Sequence, residues 1–313
     1  MLAQLAAARI GLVLVTINPA YRELEARHAL RLSGCRAVVA QQAHKTSRYH
    51  EMLRALTNGT DGNQLPAMEL VIALDGSLDK GWLTWNGLRD SAFTTSTDAL
   101  RAAIAATQAN DPINIQFTSG TTGAPKGATL SHRNILNNGL FVGRTLRLSP
   151  ADRLCLCVPL YHCFGLVMGV LGALTHGAAV VLAGEGFDPT TTLDTVQAER
   201  CTVLYGVPTM YVALLEEQGR SPRRVDTLRT GIMAGAPCPE AVMREVMERL
   251  SMREVTICYG MTETSPVSFQ SHWLRGSRPW GAYTPMSRPR WSIQTVKSLS
   301  AARPVNCWCA ATA

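Results

Sequence analysis

After residue 270 the chain has no Asp or Glu, its nine cysteines include no C-x-x-C pair, and it contains no internal repeat. No apolar run reaches the ~18 residues of a membrane-spanning helix. The missing cysteine pairs exclude the usual zinc and dithiol redox spacings. The count is odd, and the cysteines are scattered through apolar stretches such as Leu154–Val158. They read as small core residues in a reducing, intracellular compartment. Residues 1–21 are apolar but lack a basic n-region, are interrupted by Arg9 and Gly11, and close at Asn18-Pro19. A helix feeding a buried strand is expected there instead of a signal or transit peptide.

Charge is unevenly spread. The net charge is +7, and residues 271–313 supply +6 of it through five Arg and one Lys. The preceding 270 residues stand at +1, so the basic balance gives no argument for a nucleic-acid partner. Residues 271–313 also hold four of the six Trp. Without periodicity, that tail reads as a segment foreign to the fold, outside the packing and disordered.

What is present alternates. Runs at 12–15, 37–40, 70–74, 113–117, 154–158, 179–182, 202–205, 230–234 and 255–258 are short, apolar and β-branched. Most are continuous, as strands covered on both faces are. Between them, helical patterns occupy 22–33 (stopped by Gly34), 46–56, 132–146, 190–199 and 239–250, the last opened by Pro239. The segment 57–66 reads as a surface loop and 84–111 as a helical connection. Strand and helix in alternation predict a doubly wound α/β fold.

The chemistry sits in one segment. The strand Ile113–Phe117 delivers Thr118-Ser-Gly-Thr-Thr-Gly-Ala-Pro-Lys-Gly127, with three glycines, four hydroxyls and Lys126. Such a loop can aim backbone N–H groups at a polyphosphate, add hydroxyl donors and supply one positive charge. It is not a Walker A loop. Pro125 stands where the second Gly belongs and Gly127 replaces the Ser/Thr that would hold magnesium. An ordinary P-loop NTPase or kinase is disfavoured on those grounds.

This loop resembles the phosphate-binding signature of the adenylate-forming superfamily, which includes acyl-CoA synthetases, luciferases and peptide-synthetase adenylation domains. Further stretches match in the same order: Ile17–Tyr21, Ser131–Asn134, Pro159–Gly165, Tyr205–Tyr211, Ala234–Pro237 and Tyr259–Glu263. The match spans about residues 1–270 and looks closest to the medium-chain fatty acyl-CoA synthetases, through Asp111–Phe117 and Leu160–Cys163.

The resemblance implies roles. Thr118, Ser119, Gly120, Thr121, Thr122, Gly123 and Lys126 would hold the β- and γ-phosphates of ATP. Gly235, Ala236 and Pro237 would lie beneath adenine, with Tyr259 against it and Gly260 and Met261 in the same nucleotide motif. Thr262 would contact the α-phosphate and Glu263 a Mg2+ ion. His162 would orient or gate the carboxylate, or serve as a structural core residue. Cys163, Phe164 and Leu166 would wall an aliphatic chain or equally serve as plain core packing, and Tyr205, Met210 and Tyr211 have the same two readings.

The implied reaction joins a fatty acid to CoA at the expense of ATP, through acyl-AMP. The family's Arg/Thr-Gly-Asp stretch, hinge and small C-terminal domain with a late Lys find no counterpart after Gln270. The expected organisation is therefore a partial first α/β subdomain (1–107), an AMP/ATP-binding region (108–270) and a non-homologous tail (271–313), incomplete at both ends. A catalytically incomplete ATP-binding fragment is the rival of an active ligase. For a full-length relative the resemblance points to the mitochondrial matrix.

Overall fold

Apolar runs become strands in this chain because both of their faces are covered. Val13–Thr16 and Thr230–Ala234 are buried at every position, and Cys35–Ala40 at all but one. The computed structural model describes residues 1–58, 65–76, 79–118 and 124–273, and the backbone of 284–285 and 307–311. They fall into two compact units, Met1–Arg133 with Ile293–Ala313, and Asn134–Ser292.

In the first unit the elements run α1 (Leu2–Arg9), β1 (Val13–Thr16), α2 (Glu23–Ser33), β2 (Cys35–Ala40), α3 (Tyr49–Asn58), β3 (Leu70–Ala73) and β4 (Leu83–Thr84). Then come α4 (Trp85–Asp90), a 3-10 turn, α5 (Thr97–Ala106), β5 (Pro112–Thr118), β6 (Lys126–Ser131) and the start of α6 (His132–Thr145). The sheet order is β4-β3-β2-β14-β1-β5-β6, where β14 is Cys307–Ala311. All neighbours are parallel except the hairpin partners β5 and β6. Leu30 of α2 and Leu53 and Leu56 of α3 pack on Val13, Val15, Val38 and Ile115. These helices form because their apolar residues recur along one stripe, and α2 ends at Gly34, in the left-handed conformation.

The second unit continues with β7 (Arg153–Leu156), a π-helix (Phe164–Leu171) running into α7 (Gly172–Leu174), β8 (Ala179–Leu182), α8 (Pro189–Ala198), β9 (Val203–Gly206) and α9 (Pro208–Arg220). It closes with β10 (Thr230–Ala234), α10 (Glu240–Arg249), β11 (Glu254–Gly260), β12 (Val267–Trp273) and β13 (Thr284–Pro285). Its order, β13-β12-β11-β10-β9-β7-β8, is parallel from β11 to β8 and antiparallel at β12 and β13. Helices α8, α9 and α10 bury Leu193, Leu214 and Val246 in one core. Val142 of α6 and Phe164 of the π-helix belong to the other, with Tyr205 and Ile232. The fold is α/β, and this sheet is doubly wound.

The nine strands expected from apolar runs are all present, with ends moved by up to a few residues. Three expectations are corrected. The chain passes between units at 133/134 and not at 107/108, because β5 pairs with β1 and carries β6 with it into the first sheet. The tail does not stand wholly outside the fold. Strand β12 runs on to Trp273, and β14 lies between β1 and β2, with Val15 and Val38 both in register with residue 309. Charge and Trp content averaged over the tail conceal a local run, Cys307–Ala311, that is uncharged and strand-forming. Finally, among the described residues six cysteines are free thiols, Cys155, Cys157, Cys163, Cys201, Cys238 and Cys258, whereas Cys35 is disulfide-bonded.

Candidate active site

In the second unit, the residues singled out in the sequence gather at the carboxyl ends of parallel strands of one sheet. His162 and Cys163 follow β7, Gly235–Pro237 follow β10, and Tyr259–Glu263 end β11 and open the turn after it. From β7 the chain leaves for β8 on one side, and returns as β9 on the other. Loops diverge at such a switch point, which is where open α/β sheets bind ligands.

Gly235 has φ +87°, a conformation that a residue with Cβ adopts only at a cost, so the chain can turn sharply out of β10 and leave Gly235, Ala236 and Pro237 exposed. Beside them in the sheet, Tyr259 is 64% exposed. Its ring lies 6.3 Å from that of Phe269 on β12, tilted by 36°. A large aromatic left in water next to a bare backbone turn is a surface on which a planar heterocycle can stack. Gly260 and Met261 are exposed with it, while Thr262 turns inward and is buried.

Thr262 meets the loop from β7. The Cys163 Sγ lies 3.7 Å from the Thr262 Oγ1 and 3.6 Å from the His162 Nδ1. Burial pushes the Cys163 thiol up to about 11, against the hydrogen bond to Thr262 and backed by the negative charge of Glu263. The thiol therefore stays protonated at neutral pH and acts as a hydrogen-bonding link, not as a nucleophile. The Phe164 N–H donates to His162 Nδ1 at 3.1 Å, so Nδ1 accepts and the neutral ring carries its proton on Nε2. Burial lowers the His162 pKa, although the residue as a whole keeps an exposed surface. A neutral imidazole with an available Nε2–H suits an anion such as a carboxylate.

The turn after β11 is closed by Thr264, a residue outside the nucleotide motif. Its hydroxyl donates to the Pro266 carbonyl at 2.6 Å and accepts from the Met261 N–H at 3.1 Å. The sequence signal for it is the run Thr262-Glu-Thr-Ser-Pro266, since short hydroxyl side chains before a proline favour such turns. Within it Glu263 is half-buried and makes no hydrogen bond or ion pair with any described residue. No group of three or more metal-ligating side chains occurs among the described residues. One unengaged carboxylate suits a Mg2+ ion that takes most of its ligands from phosphate oxygens and water.

In the first unit, Thr118 and Lys126 face each other across the β5–β6 hairpin, and the Thr118 hydroxyl donates to the Lys126 carbonyl at 3.5 Å. Lys126 is exposed, and the His28 Nε2 of α2 lies 2.9 Å from the carbonyl of Pro125, fixing the entrance to β6. Ser119, Gly120, Thr121, Thr122 and Gly123 lie outside the described residues.

The proposed apolar wall divides. Cys163, Phe164 and Leu166 are buried, with the Phe164 ring stacked on Tyr205 at 5.8 Å. Tyr205 and Tyr211 are wholly buried, and the Tyr211 hydroxyl is committed to the carbonyls of Leu204 and Ile232 at 2.9 and 3.2 Å. For Tyr211 the core reading holds.

A family model described as AMP-binding enzyme matches residues 1–296. A putative acyl-CoA synthetase, YngI of Bacillus subtilis, is 38% identical over 276 residues, covering 86% of this chain and 50% of its own length. The mitochondrial medium-chain acyl-CoA ligase ACSF2 of Bos taurus is 39% identical over 283 residues, covering 87% of this chain and 46% of its own length. The chain thus spans about half the length of these relatives. Among solved structures, the anthranilate CoA ligase AuaEII in complex with anthranoyl-AMP superposes with a TM-score of 0.69 at 24% identity, over 87% of this chain and 49% of that one, a likeness of fold.

Proposed function

Because the chain belongs to the AMP-binding enzyme family, we propose that it serves an AMP-forming acyl-CoA ligase reaction that activates a medium-chain fatty acid with ATP and Mg2+ and passes it to CoA. The observation that carries this reading is the convergence of His162 and Cys163, Gly235–Pro237 and Tyr259–Glu263 at the carboxyl ends of parallel strands of one sheet, with Cys163 against Thr262. In this reading Tyr259 and the Gly235–Pro237 turn take the adenine, and Thr262 takes the α-phosphate. Glu263 holds the metal and His162 orients the acid. Thr118 to Lys126 takes the polyphosphate, its fixed positive charge and donors easing the departure of pyrophosphate. The medium-chain preference follows the relatives' names, and Phe164 and Leu166 supply its apolar wall.

The test uses the purified chain with ATP, Mg2+ and octanoate. Saturable ATP binding, pyrophosphate exchange that depends on octanoate, and octanoyl-CoA detected by mass once CoA is added are the expected results. Steady phosphate release without exchange would overturn the reading. A second reading is an ATP-binding protein without turnover. ATP binding with no exchange for any acid would select it.

A further inference from the structure

Asn138 of α6 is a polar side chain only 2% exposed, and both ends of its amide are used on one distant residue. Its Nδ2 donates to the Val267 carbonyl at 2.9 Å, and its Oδ1 accepts from the Val267 N–H at 3.2 Å. Val267 is the first residue of β12 and pairs on its other side with Gly260. The amide therefore takes the place that one residue of a further strand would fill, at the exit of the turn that holds Thr262 and Glu263. At the same end, Thr264 closes the turn onto the Pro266 carbonyl. Position 138 is itself fixed from behind. A Cβ on the neighbouring Gly139 would stand 2.9 Å from the Leu171 Cβ and 3.0 Å from the Val167 carbonyl, so α6 seats directly on the π-helix that follows His162 and Cys163.

We propose that Asn138 is a positioning residue that locks the Thr262–Glu263 turn to α6, and through α6 to the helix behind His162. This rests on the assignment of that turn to the nucleotide. A buried amide engaged at both ends has two backbone groups to satisfy, and no apolar residue of its size can do so. An Asp of the same shape keeps the acceptor, loses the donor and sets a carboxylate against the Val267 carbonyl.

The experiment compares the full wild-type chain with Asn138→Leu and the isosteric Asn138→Asp, well below their melting temperatures. Backbone hydrogen exchange is read for peptides covering 259–268, with those from β9 and β10 as internal controls, and AMP and ATP affinity is read by titration. The expected result is exchange at 264–267 faster by about tenfold or more, the factor that ~1.4 kcal/mol of lost local stability gives, with the controls unchanged. Nucleotide Kd should rise by about tenfold in the same folded variants. A purely structural role would lower Tm while leaving Kd and the 264–267 exchange in step with the controls, and that outcome would overturn the inference. If the wild-type chain takes no nucleotide, the functional reading fails, and the exchange measurement alone still decides whether Asn138 holds the turn.

Discussion

The two sheets are assembled from the chain in different ways. In the second unit, five parallel strands, β7 to β11, come from one continuous stretch between Arg153 and Gly260, with helices returning the chain to the same sheet each time. In the first unit, β1 and β2 are consecutive in sequence but do not touch. The strand Cys307–Ala311 lies between them and bonds to both. Closing so long a loop costs entropy before any contact repays it. Among the described residues, the second unit holds two large buried apolar clusters and the first holds one. The centre of the first sheet thus depends on five residues from the far end of the chain, and the second unit depends on its own local order.

The sharpest way to break this comparison is Cys309→Pro. Residue 309 is in register with Val15 on one side and Val38 on the other, and proline removes a ladder donor from a position flanked by strands. A loss of more than about 3 kcal/mol is expected in the first unit, through the missing bond and the groups it leaves unpaired. Peptide-resolved hydrogen exchange should show β1 and β2 losing protection while β9 and β10 keep theirs. Equal loss in both units would mean that they share one stability.

The matching test in the second unit is Asp152→Ala. Its carboxylate accepts from the Ser149 N–H and hydroxyl, the Thr202 hydroxyl, and Nε and Nη2 of Arg229. Burial opposes its charge, but these bonds win and hold its pKa below the usual value. Removing it strands Arg229, whose side chain keeps 34% of its surface exposed. The expected cost is about 2–3 kcal/mol, short of the ~3–5 of a fully buried pair. Urea unfolding should report it in β7, β9 and β10, and a value within about 0.5 kcal/mol of wild type would remove Asp152 from the account.

The same contrast explains what can be read in the sequence. The strands of the second unit are legible because each is a short apolar run bounded by its own turn, as in Thr230–Ala234 before Gly235. Gly34 and Pro239 mark helix ends for local steric reasons. The nucleotide turn is legible as a motif, and His162, Gly235 and Tyr259 share one edge of one sheet. The contact of Cys163 with Thr262 joins residues 99 apart, and nothing in either neighbourhood announces it. Strand β6 is hidden inside the glycine-rich signature, the π-helix has no period of its own to read, and Cys307–Ala311 is masked by its basic flanks. Asn138 is visible only as a polar residue within the helical pattern 132–146, since its partner lies 129 residues away.

A smaller effect, and one confined to function, is expected from Lys126→Ala. The side chain is exposed at the start of an edge strand and supports no core residue, so stability should stay within about 0.5 kcal/mol of wild type. Loss of a charge-assisted contact to phosphate should weaken ATP by about 1.5–3 kcal/mol and AMP far less, because AMP lacks the β- and γ-phosphates. Calorimetric titration of both nucleotides checks this. Equal weakening of AMP and ATP, or a sharp fall in Tm, would take Lys126 out of the phosphate role.

The least of the expected effects separates the two units by pH. His132, in the first unit, is partly buried, and its Nε2 has no hydrogen-bond partner. Burial lowers its pKa from 6.5, with the charge of Asp111 working in the other direction. The folded state therefore takes up a proton less readily than the unfolded state, and its stability is complete above the ordinary value of 6.5. As the solution is acidified past that value the unfolded chain gains the proton first, stability declines, and the slope vanishes once pH passes the folded pKa. Asp152 in the second unit carries the opposite charge but loses stability in the same direction, and only below its unfolded value of 3.8. Between these two values the first unit should weaken on acidification through His132. The amount should be no more than about 1 kcal/mol, since a tenfold change in proton affinity is worth ~1.4 kcal/mol and the ring is partly solvated. His162 in the second unit, its pKa also lowered by burial, acts in the same direction, and its effect is discounted because the residue is exposed. Urea unfolding of wild type and His132→Gln at about pH 7 and about pH 5, on either side of the ordinary histidine value, followed by exchange in β1 and β9, decides it. The substitution should flatten the decline in β1 and leave β9 as it was, and an unchanged slope in β1 would show that another group sets the acid response.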